Sequence, residues 1–260
     1  MPQHDDTSWE KAADWYDSHL AEGGTYQRDL ILPNILRLMD IKKGEGVLDL
    51  ACGQGFFARE FAGLSDRVVG VDVSPALIAL ARRNMPKNID FRVASADSLP
   101  FLKDRSVDKI AIVLALQNIR DVAGVFRECT RVLKPGGMLF AVITHPAFRV
   151  PRASSWEWDE KEKTQYRRID RYLSEAKVKI QMHPGDQPDQ YTLTFHRPLQ
   201  FYFKALNKAG LSVSALEEWN SNRKSDPGPR ANAENEARKE IPLFLCLIAK
   251  NLQTGPRKSA

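Results

Sequence analysis

The chain has 260 residues, 43% of them hydrophobic, with a formal net charge of +5 and a pI near 9.1. This length suits one large α/β domain that carries an insertion or a small appendage. Because no apolar run is long enough to span a bilayer and the first residues lack the features of a signal peptide, we expect a soluble, cytoplasmic protein with no membrane segment.

Two helical patterns occupy the first 40 residues. Apolar residues recur at helical spacing over residues 9–20, a glycine pair interrupts the pattern, and a second pattern covers residues 30–38. Pro33 lies inside the second pattern and predicts either a kink or a helix that starts close to it. We therefore expect residues 1–40 to form an N-terminal helical cap.

An apolar run followed by a glycine-containing turn stands at residues 47–56. The run predicts a buried parallel strand, and Gly53 and Gly55 allow the backbone of the turn to approach a ligand closely. Asp49, near the strand end, offers a carboxylate to a cationic or hydroxylated ligand. The dinucleotide fingerprint Gly-x-Gly-x-x-Gly is absent because Ala51 stands at its first glycine, and Asp49 would repel a pyrophosphate.

A second apolar run, at residues 68–72, ends on another acid, Asp72. It follows the first turn by about 20 residues, which is where a nucleoside-binding sheet places the carboxylate that binds ribose hydroxyls. Ser74 and Pro75 already supply the start signals of the next helix, so Asp72 is not needed as its cap. We therefore assign Asp72 to ligand binding.

Three more strands are predicted further along the chain. Residues 89–94 and 107–116 have the pattern of strands, and a glycine-containing turn at residues 131–139 leads into an apolar run that ends at residue 144. These runs predict the third, fourth and fifth strands of the sheet.

The turn after the first strand resembles the first motif of the class I S-adenosylmethionine-dependent methyltransferases. That motif has the form Asp-x-Gly-x-Gly-x-Gly, and Asp49, Ala51, Gly53 and Gly55 match it with alanine in place of the first glycine. The Ala-Cys pair at positions 51 and 52 is similar to the variant found in methyltransferases of ubiquinone and menaquinone biosynthesis.

Further motifs extend the resemblance over residues 47–139. Asp72 stands at the ribose position of the family, residues 96–101 resemble its third motif, and residues 131–139 resemble its turn into the fifth strand. The resemblance implies an α/β, Rossmann-like fold with a seven-stranded, mostly parallel sheet whose last strand is antiparallel. It also implies S-adenosyl-L-methionine as the cofactor.

The resemblance further implies roles for individual residues. Asp97 is expected to hold the adenine amino group, while Tyr16, Tyr26 and Arg28 are expected to touch the methionine end of the cofactor or to close the substrate pocket. Packing against the sheet explains Tyr16 equally well. The residues implied in cofactor binding are Tyr16, Tyr26, Arg28, Asp49, Ala51, Cys52, Gly53, Gly55, Phe56, Asp72, Val73, Ser74, Ala96, Asp97, Ser98, Leu114 and Leu116.

A long insertion, residues 146–196, follows the fifth strand. The chain leaves the sheet here at its carboxyl edge, where open α/β sheets bind ligands. Since a structureless loop of this length is uncommon, we expect a substrate lid with at least one helix around residues 158–175. Its five Trp and Tyr residues suit a flat apolar substrate, and ordinary packing would also explain them.

The remaining residues are predicted to complete the sheet. Residues 198–209 predict a helix that ends at Gly210, and residues 211–219 and 241–249 predict two antiparallel strands. The polar stretch between these strands, residues 221–240, predicts a mobile surface loop. The predicted parts of the chain are a helical cap (1–40), a cofactor-binding core (41–145), a lid (146–196), the C-terminal part of the core (197–252) and a flexible tail (253–260).

Candidates for a catalytic base are few. Methyl transfer needs position, an apolar cleft and sometimes a base. Many relatives place a histidine just after the fourth strand, but this chain has Gln117 and Asn118 there. His145 and His196, at the two ends of the lid, remain as catalytic candidates, each with a structural role as the alternative. We expect His145 to lie nearest the transferred methyl group because it directly follows the fifth strand.

Cysteine spacing and charge distribution bear on the remaining function classes. The three cysteines are widely spaced without a Cys-x-x-Cys pair, which predicts reduced, structural thiols and no metal site. In the segment 145–196, nine Lys and Arg residues are interleaved with eight acids, whereas a groove that tracks phosphates would show one sign of charge. Only the cluster at residues 167–171 favours a nucleic acid.

The sequence therefore predicts a methyltransferase that acts on the O, N or C atom of a small aromatic or hydrophobic molecule. Methylation of tRNA or rRNA is the alternative within enzymes. A catalytically silent partner subunit with the cofactor fold is the alternative of another class, although the intact set of acids and glycines disfavours it. The sequence leaves open whether the protein is a monomer or a homodimer.

Overall fold

The computed structural model describes Trp9 and residues 24–83, 85–181 and 191–253. Apart from Trp9, the first predicted helical pattern lies outside the described residues. The helices in the described part are α1 (Leu32–Met39), α2 (Phe56–Ala62), α3 (Pro75–Ala81), α4 (Val122–Val132), α5 (Leu199–Ala209) and α6 (Ala231–Glu240). The strands are β1 (Gly46–Leu50), β2 (Arg67–Asp72), β3 (Ile89–Val93), β4 (Val107–Val113), β5 (Leu133–Thr144), β6 (Ser154–Asp159), β7 (Thr164–Ile169), β8 (Ala176–Gln181), β9 (Tyr191–His196), β10 (Leu211–Trp219) and β11 (Phe244–Asn251).

Seven of the described strands form one central sheet in the order β10, β11, β5, β4, β1, β2, β3. The pairs β1 with β2, β1 with β4, β2 with β3 and β4 with β5 are parallel. β11 runs antiparallel to both of its neighbours, β5 and β10. The predicted α/β sheet, mostly parallel with an antiparallel last strand, is therefore confirmed.

Successive residues of β1 face the two layers of helices. Leu48 and Leu50 lie in one hydrophobic cluster with residues of α4 and α5, whereas Val47 lies in a second cluster with residues of α1, α2 and α3. All five residues of β1 are buried, as expected of a central parallel strand that is covered on both faces. The turn after β1 therefore leaves the sheet at its centre, between β2 and β4.

The predicted start of a helix near Pro33 is confirmed. Pro33 is the second residue of α1, where its missing N–H leaves a carbonyl group of the preceding helical turn without a partner and the backbone changes from π-helical to α-helical. A short π-helical segment, Gln27–Ile31, directly precedes α1. Helix α1 buries Ile35 and Met39 against the sheet. The second helical pattern of the predicted cap is thus part of the fold itself.

The insertion contains two β-hairpins, and the predicted helix around residues 158–175 is wrong. Strands β6 and β7 pair antiparallel, and so do β8 and β9. The residues of β8 alternate between less and more exposed positions, which is the period of two that is typical of a strand. Lys163, the last residue of the turn between β6 and β7, and Arg171, which precedes the turn before β8, both have a φ value of 52°.

The C-terminal elements agree with the prediction except in one segment. Helix α5 ends at Gly210, which has a left-handed φ of 86°. The prediction of a loop throughout residues 221–240 is wrong, because its second half forms α6. Two ion pairs, Lys239 with Glu236 at i to i+3 and Arg238 with Glu234 at i to i+4, support this polar helix. No helix among the described residues has both the length and the apolarity that crossing a membrane requires.

Candidate functional site

The turn after β1 has a backbone that favours small residues. Ala51, Gly53 and Gly55 have φ values of 60°, 57° and 83°, in the left-handed region. A Cβ atom at Gly55 would lie 2.6 Å from Cζ of Phe91, so this position also lacks space for a side chain. Glycine meets both requirements without strain. The turn therefore presents bare backbone at the carboxyl edge of the sheet, and α2 begins directly after it.

Asp72 joins this turn to the end of β2. Its Oδ2 accepts a hydrogen bond from the backbone N–H of Gly53 at 2.9 Å, and its Oδ1 accepts one from the N–H of Ser74 at 2.9 Å. Ser74 itself caps α3, since its Oγ accepts from the N–H of Leu77 at 3.1 Å. Asp72 lines the cavity, and a carboxylate is a group that can accept a hydrogen bond from a ligand hydroxyl.

Asp49 is a buried acid with an unused oxygen. Its side chain is 1% exposed, and Oδ2 makes no hydrogen bond with any described residue. Burial raises the pKa of Asp49 to about 7, and the negative charge of Asp72 adds to the rise, while a hydrogen bond from the backbone of Ala58 opposes it. A cationic or hydrogen-bond-donating ligand would remove this cost of burial.

A cavity of about 400 Å³ connects this turn with the insertion. On one side its walls are the β1 turn, the end of β2 and the loop after β4, and on the other side they include residues of β8, β9 and α5. The predicted site residues that line it are Asp49, Ala51, Cys52, Gly53, Phe56, Asp72, Val73, Leu114 and His196. Lining residues that the sequence analysis did not assign to the site include Gln27, Ile119, Thr144, Arg149, Ile180, Thr194, Phe195, Arg197 and Tyr202.

The other predicted site residues lie outside the walls of this cavity. Asp97 is exposed and accepts a hydrogen bond from Oγ of Ser95 at 2.5 Å. Arg28 stacks on the ring of Phe56, and the hydroxyl of Tyr26 bonds to Oγ of Ser221 at 2.7 Å. The remaining residues of this group are Gly55, Ser74, Ala96, Ser98, Leu116 and His145, and Tyr16 lies outside the described residues.

Both ring nitrogens of His145 are occupied by protein groups. Nδ1 accepts a hydrogen bond from the backbone N–H of Ala147 at 3.2 Å, so the proton resides on Nε2, which donates to Oε1 of Glu218 at 2.7 Å. The ring also packs against Phe148, with ring centroids 4.7 Å apart, and burial lowers the pKa of His145. In this arrangement His145 ties the end of β5 to β10 and offers no free lone pair.

His196 has a different arrangement, at the end of β9. Its Nε2–H donates a hydrogen bond to the backbone carbonyl oxygen of Tyr172, over a distance of 2.7 Å. Nδ1 is then the unprotonated nitrogen, and it accepts no hydrogen bond from the described residues. His196 is 4% exposed and lines the cavity. Of the two predicted catalytic histidines, His196 is thus the one with a free lone pair at the cavity.

Two side-chain amides after β4 add acceptor groups to the cavity wall. Leu114 has a φ of 52°, which ends β4 before the predicted residue 116 and leads into a 3-10 turn, Leu116–Asn118. Nε2 of Gln117 donates to the carbonyl oxygen of Leu114 at 2.7 Å, which fixes the orientation of the amide. Oε1 of Gln117 and Oδ1 of Asn118 are buried without a partner among the described residues.

The three cysteines, all within the described part, are buried and form no disulfide. Cys52 lines the cavity, and burial raises the pKa of its thiol well above the usual value. Among the described residues, no group of three or more His, Cys, Asp or Glu side chains is placed to hold a metal ion.

Comparisons with known proteins give a consistent assignment. Residues 48–141 match the family model of a methyltransferase domain. A demethylmenaquinone methyltransferase of Tropheryma whipplei (strain Twist) is 36% identical over 113 residues, which cover 42% of this chain and 46% of that protein. A ubiquinone biosynthesis O-methyltransferase of Xanthomonas oryzae pv. oryzae (strain PXO99A) is 34% identical over 100 residues, which cover 37% of this chain and 42% of that protein. The matched region therefore spans less than half the length of these two relatives.

A solved structure extends the likeness to most of the chain. An S-adenosylmethionine dependent methyltransferase from Mesorhizobium loti is similar with a TM-score of 0.66 and 28% identity, over 84% of this chain and 96% of that chain. The strand order, the turn after β1 and the two carboxylates beside that turn agree with these matches. The chain therefore carries a class I S-adenosylmethionine-dependent methyltransferase domain.

Proposed function

We propose that this protein transfers a methyl group from S-adenosylmethionine to a small molecule bound beneath the insertion. The observation that carries the proposal is the shared cavity, whose walls include both the β1 turn and the two hairpin strands β8 and β9. Its volume of about 400 Å³ lies in the usual range of small-molecule sites. A polymeric substrate would need an open groove instead.

The acidic side of the cavity fits the cofactor. The unused oxygen of Asp49 suits a positively charged group, and the acceptor capacity of Asp72 suits the ribose hydroxyls. Val73 is 52% exposed and lines the cavity, so it offers an apolar surface to the adenine ring. Tyr26, Arg28 and Asp97 stay predictions, since none of them lies on the cavity wall.

Methyl transfer requires the protein to hold the cofactor and the acceptor in position and to provide a group that takes a proton from the acceptor. When bound, S-adenosylmethionine supplies a methyl carbon whose bond to the positive sulfur breaks, with the electron pair staying on sulfur, as a lone pair of the acceptor takes the methyl group. We propose that Nδ1 of His196 takes the proton that an O–H or N–H acceptor loses. Gln117 and Asn118 also line the cavity, and we propose that their side-chain amides orient that O–H or N–H bond.

An apolar part of the acceptor is supported by the walls nearest the insertion. Ile180, Phe195 and Tyr202 line the cavity there, and Tyr202 is buried. The two curated relatives are named for quinone biosynthesis, whose acceptors carry an aromatic or quinone ring. We therefore propose a small aromatic or hydrophobic acceptor.

Cofactor binding is tested by calorimetry with S-adenosylhomocysteine. We expect Asp72→Ala to weaken binding by about 1.5–3 kcal/mol, the range for hydrogen bonds to a charged group. Because Asp72 also holds two backbone N–H groups, Val73→Ser serves as a second variant that leaves those bonds intact. Asp90→Ala is the control, since this acid lies on β3 with 53% of its side chain exposed. Wild-type affinity in both Asp72→Ala and Val73→Ser would refute the placement.

Transfer itself is tested with S-adenosylmethionine that carries a deuterated methyl group. The protein is incubated with a bacterial small-molecule extract, and separately with bulk tRNA, and mass spectrometry locates the label. We expect labelled small molecules and unlabelled RNA. Label in the tRNA alone would refute the proposal in favour of the RNA alternative.

A further inference from the structure

Arg149 brings a positive charge to the cavity wall just after β5. Its backbone N–H donates to the carbonyl oxygen of His145 at 2.9 Å, which fixes the turn that carries it. The side chain lines the cavity, and its guanidinium lies over the ring of Trp156, 5.2 Å from the centroid. The backbone and Trp156 therefore hold this cation in place.

The guanidinium of Arg149 has no acidic partner among the described residues. It forms neither an ion pair nor a side-chain hydrogen bond there, and its Nε is buried without a partner. The acids on the cavity wall are Asp49 and Asp72, which flank the β1 turn. Neither is paired with Arg149, so the charge of Arg149 is uncompensated.

The guanidinium groups of two neighbouring arginines do have hydrogen-bond partners. Arg167 also lies over the ring of Trp156, but it donates to the carbonyl oxygen of Phe148 and to Oγ of Ser154. Arg197 lines the cavity and donates to three backbone carbonyl oxygens, those of residues 116, 119 and 120. Both guanidiniums thus have oxygen partners, which Arg149 lacks.

Burial makes this lack of a partner costly. Removal from water, together with the positive charge of Arg167, lowers the pKa of Arg149 to about 10. That value is still well above neutral pH, so the guanidinium remains charged in the folded protein. An anionic ligand group bound against Arg149 would compensate this charge.

We propose that the methyl acceptor is an organic acid whose carboxylate binds the guanidinium of Arg149. This inference rests on the proposed function and specifies its substrate class. A single unpaired guanidinium matches a group with one negative charge, which favours a carboxylate over a doubly charged phosphate. Gln117 and Asn118 line the same cavity, and their side-chain amides match a hydroxyl or amino group elsewhere on the acid. The acceptor is therefore a hydroxy or amino acid with an apolar body, methylated at the hydroxyl or amino group.

The first experiment separates acceptors by charge. A bacterial small-molecule extract is divided on an anion exchanger at neutral pH, and each fraction is incubated with the protein and methyl-deuterated S-adenosylmethionine. We expect label in the retained, anionic fraction, on products that are still acids. Label only in the unretained fraction, or on a neutral methyl ester, would overturn the proposal. Absence of label from every fraction, with normal S-adenosylhomocysteine binding, would refute the proposed function itself.

The second experiment tests Arg149 with the labelled acid as substrate. We expect Arg149→Gln to raise KM for the acid about 10- to 100-fold, the loss for a hydrogen-bonded charge, with unchanged affinity for S-adenosylhomocysteine. Arg149→Lys keeps the charge and should recover most of the loss. Arg168→Gln is the control, because it removes the same charge from an exposed arginine of the insertion that pairs with Asp170.

Two results would contradict the role of Arg149. A KM in Arg149→Gln that matches the wild type would show that the acid binds elsewhere. A loss of S-adenosylhomocysteine affinity in both Arg149→Gln and Arg149→Lys would place the guanidinium at the cofactor instead. If Arg149→Gln fails to fold, Arg149→Met takes its place, since it removes the charge but keeps an apolar stem beside Trp156, and a wild-type KM in that variant would contradict the proposal.

Discussion

Asp49 predicts that the stability of the ligand-free protein depends on pH. Burial, with a smaller contribution from the charge of Asp72, raises the pKa of Asp49 from 3.8 to about 7. Between these pH values the folded protein holds a proton that the unfolded chain has released. The free energy of unfolding therefore falls as the pH rises from about 4 to about 7, and this contribution is constant above pH 7. The pKa of Asp49 rises by about three units, and at about 1.4 kcal/mol per unit this lowers the free energy of unfolding above pH 7 by about 4 kcal/mol.

Asp49→Asn replaces the titratable carboxyl group by an amide and keeps an oxygen that can accept a hydrogen bond from the N–H of Ala58. We expect the variant to be more stable than the wild type by up to about 4 kcal/mol above pH 7, and the advantage to shrink towards pH 4. Urea unfolding of the ligand-free proteins between pH 4 and pH 8 measures this difference. Asp90→Asn, at an exposed acid of β3, is the control and should follow the wild type. A difference between Asp49→Asn and wild type that does not change with pH would refute the reasoning.

The same carboxyl group predicts proton release on cofactor binding. A positive charge in the cavity favours the ionised form of Asp49 and lowers its pKa. At pH 6 most of the free protein carries this proton, so binding of S-adenosylmethionine should release close to one proton, and at pH 8 close to none. Calorimetry in two buffers with different ionisation enthalpies counts the protons. Proton release from Asp49→Asn equal to that of the wild type would refute the assignment.

Three further predictions follow from the same contacts. His196→Ala should lower kcat at least ten-fold with little change in S-adenosylhomocysteine affinity. His145→Ala should instead lower the melting temperature, because the variant loses the hydrogen bond that links the end of β5 to β10. The opposite pattern would restore His145 as the base. Gly70→Ala should destabilise the protein by about 1–3 kcal/mol in urea unfolding, since its Cβ would overlap the ring of Phe91, and Phe91→Leu in the same chain should recover part of that loss. Limited proteolysis should cut within residues 146–196 of the free protein and be slowed by S-adenosylhomocysteine together with the acid substrate; equal rates with and without ligands would argue against a lid.

The central sheet could be predicted from the sequence because its inner parallel strands, such as β1 and β2, are buried on both faces. Such strands appear as short, continuous apolar runs, as at residues 47–50 and 68–72, and the turns between them carry glycine, proline or an acid. The positions of Asp49 and Asp72 followed from the ends of these runs. The use of Asp72 to bind two backbone N–H groups did not, because those contacts form only when β1 and β2 are side by side.

The insertion was harder to predict because its strands are only partly buried. Every residue of β6, β7 and β8 is intermediate or exposed, so hydrophobicity alone gives a weak pattern. The alternation in Lys177-Val178-Lys179-Ile180 was the signal that could have indicated strands. Helix α6 was missed for a related reason, since its residues are mostly polar and Ala237 is its buried residue.

Adjacent charges in the sequence also gave a misleading picture of the surface. Arg167 and Arg168 are adjacent in the sequence and there resemble a basic cluster, but neighbouring residues of a strand point to opposite faces. Arg167 is therefore turned inward, with its guanidinium over the ring of Trp156, while Arg168 is exposed and paired with Asp170. This arrangement removes the feature that favoured a nucleic-acid substrate.

The charges around the cavity suggest how one site serves two different ligands. Asp49 is an acid with an unused oxygen beside the β1 turn, and Arg149 is a base with no acidic partner after β5. No ion pair joins the two among the described residues, so neither group compensates the other. Burial without a partner is costly for both, since Asp49 holds a proton up to a pH of about 7 and Arg149 stays charged, unless a ligand meets each of them. A cationic cofactor at Asp49 and an anionic acceptor at Arg149 would do so, and their own attraction would favour binding of the two ligands together.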